Sequence, residues 1–294
     1  MTRAKRNRIT YIVLTALILL LSLYLALRQR DRIQYTIPDL PALNAGEIRM
    51  IEIEHSGEVV RLVRSGQIWQ IHPGDYPADP ELIGEMLKTA ATLKLTELVS
   101  VTGNYGRFGL EEQSRIRVTV YKDEKALRSF ELGKSSPTYR HTFVRIDGDE
   151  RVFQTPGDPG AFFGLSGEDL RDRSVLSFDP ETITAIRAQG DGWTMELAKE
   201  GTTWATKTGD PWERKTIGEL LATLSDLDAF GYAEQGPQEG RPIFSITLTG
   251  FKTYTLEVFP RQDNLYPARS SENAYPFTLY YAVTENIISV FANQ

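Results

Sequence analysis

The stretch "IGEMLKTAATL" at Ile83–Leu93 returns almost unchanged as "IGELLATLSDL" at Ile217–Leu227, 134 residues later. In the first copy Ile83, Met86, Leu87, Ala90 and Leu93 fall on one face at helical spacing, and in the second Ile217, Leu220, Leu221, Leu224 and Leu227 do the same. Asp79 has a side-chain oxygen suited to an N-cap, and Pro80 suits the first helical position. A helix with one apolar stripe must cover something. Burying four or five such side chains stabilises by ~1.5–3 kcal/mol apiece. Two such helices call for two sheets to cover.

The flanking sequence repeats as well. Ile48 and Ile51 answer to Ile183 and Ile186, and Leu62, Gly66, Trp69 and Gly74 answer to Leu197, Gly201, Trp204 and Gly209, all at an offset of 135. Further on, "IRVTV" at Ile116 answers to "FSITL" at Phe244, and "FEL" at Phe130 to "LEV" at Leu256. This is a tandem duplication. Before each helix lie short β-rich runs separated by turn signals such as Ser56-Gly57 and Ser65-Gly66. After it come alternating runs such as "RIRVTVY", with Ile116, Val118 and Val120 on one face and Arg115, Arg117 and Thr119 on the other, a pattern that suits antiparallel strands. The run "TLYYAVT" reads as a last strand, with Tyr280 and Tyr281 on opposite faces. Trp69 and Trp204 read as core anchors.

Ahead of the repeats, residues 9–27 form an uncharged, apolar run, ~28 Å long as a helix and so about the thickness of the bilayer hydrocarbon. Arg3, Lys5, Arg6 and Arg8 precede it, and Arg28, Arg30 and Arg32 follow. The run ends in "YLALRQRDR" rather than in small residues before a cleavage site, which favours an uncleaved anchor over a signal peptide. The small excess of positive charge before it places the amino terminus in the cytoplasm. The expectation is a single-pass protein of the inner membrane whose bulk is periplasmic or otherwise extracytoplasmic.

The expected fold class is therefore α+β: an N-terminal transmembrane helix, then two tandem repeats, each a mainly antiparallel β-sheet with one principal helix. The expected divisions are a stub and anchor over 1–32, a Pro-containing tether over 33–47, a first repeat over 48–165, an inter-repeat segment over 166–182 and a second repeat over 183–294.

Composition narrows the function by exclusion. A net charge of −6 gives no electrostatic reason to bind nucleic acid. With no cysteine there are no disulfides, thiolate metal sites or cysteine nucleophiles, and His55, His72 and His141 are too scattered for a zinc cluster. "ELGKSS" at Glu131–Ser136 lacks the glycine that a phosphate-binding loop places five residues before Gly133, since Arg128 stands there, and it reads as a turn. Gly157, Gly160, Gly164 and Gly167 read as joints around Phe162 and Phe163. No cofactor, catalytic residue or metal ligand emerges.

Asp169, Arg171, Asp172 and Arg173 form the densest charge cluster outside the amino terminus, readable as a docking or catalytic patch or as a salt-bridged turn. Glu111 and Glu112 are neighbours in sequence, which rarely converge on one substrate. Tyr280 and Tyr281 belong to an aromatic-rich end, and interfaces favour tyrosine.

Taken in order, the anchor, "FGLEEQ" at Phe108–Gln113, "ELGKSSPTY", "LRDRSVLSFD" at Leu170–Asp179 and the repeated opening resemble an uncharacterised bacterial family of membrane-anchored tandem-repeat domains of unknown function. Members of that family are commonly encoded beside ABC-type transporters of the gliding-motility kind. The resemblance covers nearly the whole chain and implies a non-catalytic auxiliary component. Its partner would be an ABC-type transporter permease or another membrane or envelope protein, and the bilayer itself through residues 9–27. Phe108, Leu110, Arg171, Asp172, Arg173, Tyr280 and Tyr281 are the residues offered to a partner. An envelope carbohydrate hydrolase, a carbohydrate-binding module and a purely structural spacer are the competing readings.

Overall fold

The computed structural model describes residues 13–24, 36–232 and 240–292. Helix α1 covers residues 13–24. Its large apolar side chains, from Val13 to Tyr24, are each more than half exposed. Among the described residues no helix is long and apolar enough to cross a membrane: α1 accounts for ~18 Å of rise. Residues 9–12 and 25–27 of the expected anchor lie outside the described residues.

The chain divides into two compact units, 1–170 and 171–294. In the first, β1 (Met50–His55), β2 (Glu58–Ser65), β3 (Ile68–His72) and β4 (Tyr76–Pro77) precede helix α2 (Pro80–Ala91). Then come β5 (Glu97–Ser100), β6 (Ile116–Lys122), β7 (Lys125–Ser135), β8 (His141–Ile146), β9 (Val152–Pro156) and the single turn of α3 (Gly160–Phe163). They make one antiparallel sheet in the order β4-β3-β2-β1-β6-β7-β8-β9-β5. The second unit repeats the plan with β10 (Ala185–Gly190), β11 (Trp193–Glu200), β12 (Thr203–Thr206), β13 (Pro211–Trp212) and α4 (Arg214–Ser225). It continues with β14 (Gly231–Tyr232), β15 (Phe244–Thr249), β16 (Thr253–Val258), β17 (Leu265–Ser270), β18 (Phe277–Tyr280) and α5 (Tyr281–Ala292). Its order, β13-β12-β11-β10-β15-β16-β17-β18-β14, matches the first strand for strand. Register repeats too: Ile51 pairs with Leu62, and Ile186 with Leu197.

Alternation decides which face is buried. Ile116, Val118 and Val120 of β6, and Phe244, Ile246 and Leu248 of β15, all point into their cores. Each principal helix lays the expected stripe on its own sheet: Ile83, Met86 and Ala90 in one unit, Ile217, Leu220, Leu221 and Leu224 in the other. Trp69 and Trp204 are buried in the two cores. Asp79 caps α2, its carboxylate accepting from the Glu81 and Leu82 amides at 2.8 and 3.0 Å. At the equivalent position of α4, Glu213 makes no side-chain capping bond.

Residues 166–182 divide between the two units. Leu170 closes the first unit, its carbonyl accepting from the Asp79 amide at 2.9 Å, while Val175, Leu176 and Phe178 pack in the second core. The described part of the tether is packed against the first unit, with Ile37, Leu40 and Leu43 on its core. The turn expected at "ELGKSS" is strand up to Ser135. The run "TLYYAVT" is strand only to Tyr280, and Tyr281 begins α5, which buries Thr284, Ile287 and Phe291 at helical spacing and gives the second unit a second full helix.

Gly133 is needed for close approach rather than for phosphate binding. A Cβ there would meet the Phe108 carbonyl oxygen at 2.2 Å, because the segment around Phe108 crosses β7. The glycines near Phe162 and Phe163 flank the short α3, which buries Phe163 edge-on to Phe130, 5.9 Å between ring centroids.

Candidate functional site

Each unit has a groove at the C-terminal end of its principal helix, walled by the strand entry that follows the helix, by the end of β9 or β18, and by the segment leading into the unit. The lining positions correspond. Thr92, Leu93, Lys94 and Pro156 of the first groove become Asp226, Leu227, Asp228 and Tyr280 of the second, and Pro38 becomes Arg173. The volumes are similar, about 720 and 790 Å³, but the chemistry is not. The first groove is lined by prolines, threonines and leucines with Asp39 and Lys94. The second carries Arg173, Asp226 and Asp228, a formal balance of one positive and two negative charges, beside Phe230 and Tyr280.

The walls of the second groove are tied by backbone hydrogen bonds. The Ala229 amide donates to the Arg173 carbonyl at 2.8 Å, the Val175 amide to Leu227 at 2.9 Å, and the Phe230 amide to Thr278 at 2.8 Å. Phe230 is 58% exposed and Tyr280 44%, and their rings stack with centroids 6.1 Å apart. Tyr281 tilts against Tyr280 at 4.9 Å.

The first unit has two charged arrangements of its own. Glu131 on β7 is buried beneath three arginines: Arg115 Nε at 3.3 Å, Arg117 Nη2 at 2.9 Å, and Arg145, whose Nε donates at 2.6 Å. Arg145 in turn lies over the Tyr105 ring, 4.4 Å from its centroid. Arg128, also buried, has carbonyls for partners rather than a carboxylate. It donates to Ala90 O at 2.6 Å, to Ala91 O at 3.3 Å and to Pro41 O, so it sits on the carbonyl end of α2 and holds the leading segment there. Burial pushes its pKa down, because the charged form loses water.

The residues read from sequence separate into groups. Arg173 and Tyr280 meet in the lining of the second groove, with Tyr281 against Tyr280. Arg171 lies over the Tyr232 ring at 5.2 Å. Asp172 accepts from the Ser174 amide at 2.9 Å, and its carbonyl from the Tyr232 hydroxyl. Phe108 and Leu110 are buried with Phe143 and Val152. Glu111, Glu112 and Asp169 are exposed, and Asp169 accepts from Ser166 Oγ at 2.6 Å. Sequence reasoning passed over Phe230, Asp226 and Asp228. Comparing the copies position by position would have flagged them, since Thr96 becomes Phe230 and Lys94 becomes Asp228. Among the described residues no group of three or more His, Cys, Asp or Glu is arranged to hold a metal ion.

Two antiparallel sheets of one topology, each carrying helices on one face, define a tandem α+β repeat protein. Residues 69–243 match the family described as a domain of unknown function (DUF4340), and the chain belongs to that family. The matched region runs across the boundary between the units at Leu170 and Arg171. No curated protein matches the chain.

Proposed function

We propose that this protein is a single-pass, non-catalytic binding subunit of the inner membrane. Its amino terminus is cytoplasmic, its two repeats are extracytoplasmic, and it acts with an ABC-type transporter. The observation that carries this reading is α1. Its apolar side chains point in every direction and are all exposed, and such a helix requires a surrounding as apolar as itself. The uncharged run in the sequence extends past α1 at both ends, over residues 9–27, which is long enough for a bilayer. Two sheets with shared topology and differing surfaces suit a subunit that grips partners. The transporter rests on the resemblance of "FGLEEQ" and "LRDRSVLSFD" to a family commonly encoded beside such transporters.

The test is fractionation followed by mild extraction. The full chain is expected in the membrane pellet after alkaline carbonate washing, and deletion of residues 9–27 should release it. In mild detergent it should co-purify with an ABC-type permease. Recovery of the full chain in the soluble fraction would overturn the reading. A chain that stays in the membrane yet emerges free of any permease would remove the transporter from it.

A further inference from the structure

We propose that the groove of the second unit binds a small organic cation of the alkylammonium class, with its quaternary form as the best fit. This goes beyond the proposed function, which names no ligand. Three independent features of the groove favour positive charge.

The first is the end of α4. The carbonyl end of a twelve-residue helix carries a partial negative charge. In the first unit a buried guanidinium, Arg128, sits on the corresponding helix end and answers that charge. In the second unit position 128 becomes Tyr254, and the last turn of α4 carries no basic side chain. The second is the side-chain balance. Arg173 and Asp228 are each engaged within the protein, and Asp226, the C-cap of α4, adds a further carboxylate to the lining. The third is the aromatic wall of Phe230 and Tyr280, whose rings lie 26° from parallel with centroids 6.1 Å apart. Ring faces attract cations, and quaternary ammonium ligands are recognised by such walls.

The fit in size agrees: about 790 Å³ lies within the range of small-molecule sites, and backbone hydrogen bonds across the walls fix the groove before anything binds. The first groove serves as an internal comparison. It has the same place in the fold, but Pro156 and Thr96 stand where Tyr280 and Phe230 provide rings.

The test uses the full chain in a polyoxyethylene detergent without choline headgroups, at fixed ionic strength. It is titrated by NMR with choline chloride, with phosphocholine and with 3,3-dimethylbutan-1-ol, the uncharged isostere of choline. Choline is expected to bind with a Kd of about 1 mM, and the isostere at least about tenfold more weakly. Phosphocholine binding as tightly as choline would point to a headgroup as the source, and weaker binding to a free amine; either supports the proposal. Phe230→Leu and Asp226→Asn, both at exposed positions, should each weaken choline about fivefold or more without moving the thermal midpoint. The proposal is overturned if choline gives no saturable shift, if the isostere binds as well as choline, or if neither variant changes the affinity. Because the readout needs neither a bilayer nor a permease, its failure is separate from failure of the membrane reading.

Discussion

On β1 and β2, Glu52 faces Arg61 with 2.7 Å between the charged atoms; 135 residues further on, Arg187 of β10 faces Glu196 of β11 at 3.6 Å. The pair occupies the same place in both sheets with its charges exchanged. Register and burial fix where such a pair can stand, while the solvent-facing chemistry is free to change sign. Inward apolar positions mostly keep their character, as Ile51 and Ile186 do, whereas charged positions diverge, buried ones included. Glu131 and Glu257 are equivalent, yet the first lies beneath three arginines and the second meets Arg269 alone, in a more exposed setting. Arg128 and Tyr254 are equivalent, yet one locks a helix end and the other packs beside Phe178.

The sharpest way to break this comparison is to remove both carboxylates. Glu131→Ala leaves three guanidinium groups without their shared partner and is expected to destabilise the first unit by about 3 kcal/mol, whereas Glu257→Ala costs under about 1 kcal/mol. Denaturant unfolding followed by a probe in each unit measures both. Next in size, Arg128→Met should cost about 2 kcal/mol, from lost hydrogen bonds to three carbonyls, and Tyr254→Phe a few tenths at most. Amide exchange at Leu43, whose N–H donates to Ala91 O, should accelerate in Arg128→Met as the leading segment loosens.

Smaller still is the capping difference: Asp79→Ala should cost about 1 kcal/mol and Glu213→Ala close to nothing, because only Asp79 accepts from helix amides. The least of the four is a pH asymmetry. Hydrogen bonds from Arg151 hold the Asp149 carboxyl below its usual range, so its contribution is present above the ordinary carboxylate pKa and is lost as pH falls through the depressed value. Burial, with the Glu285 carboxylate beside it, raises Tyr266 above the ordinary phenol, so that contribution is intact at neutral pH and is lost as pH rises through the raised value. Stability scans should show Asp149→Asn flattening the acid limb in the first unit and Tyr266→Phe the alkaline limb in the second.

The duplication was legible because core positions tolerate little. Trp69 and Trp204, the isoleucine pairs and the two helix stripes repeat at a nearly constant offset and appear in both cores. The end of the chain misled because Tyr-Tyr-Ala-Val has strand-like composition over a short run, although Ile287 and Phe291 lie four apart, on one helix face. Pro38 and Pro41 suggested a stiff tether, and Ile37, Leu40 and Leu43, at intervals of three, pack half-buried against the first core. The grooves were hidden for a different reason. Each is assembled from three segments far apart in the chain, so no local pattern marks it. Glu131 likewise looked like one residue of an alternating strand until two neighbouring strands and the approach to β6 brought arginines over it.

One fold occurs twice in this chain with divergent surfaces, and an experimental superposition of the two units is the decisive measurement. Superposing 36–170 on 171–292 should lay each strand on its counterpart, Ile51 on Ile186 and Trp69 on Trp204, with Arg128 over the end of α2 and Tyr254 in its place beyond α4. A second sheet with another strand order, or the same order with those residues out of register, would contradict it.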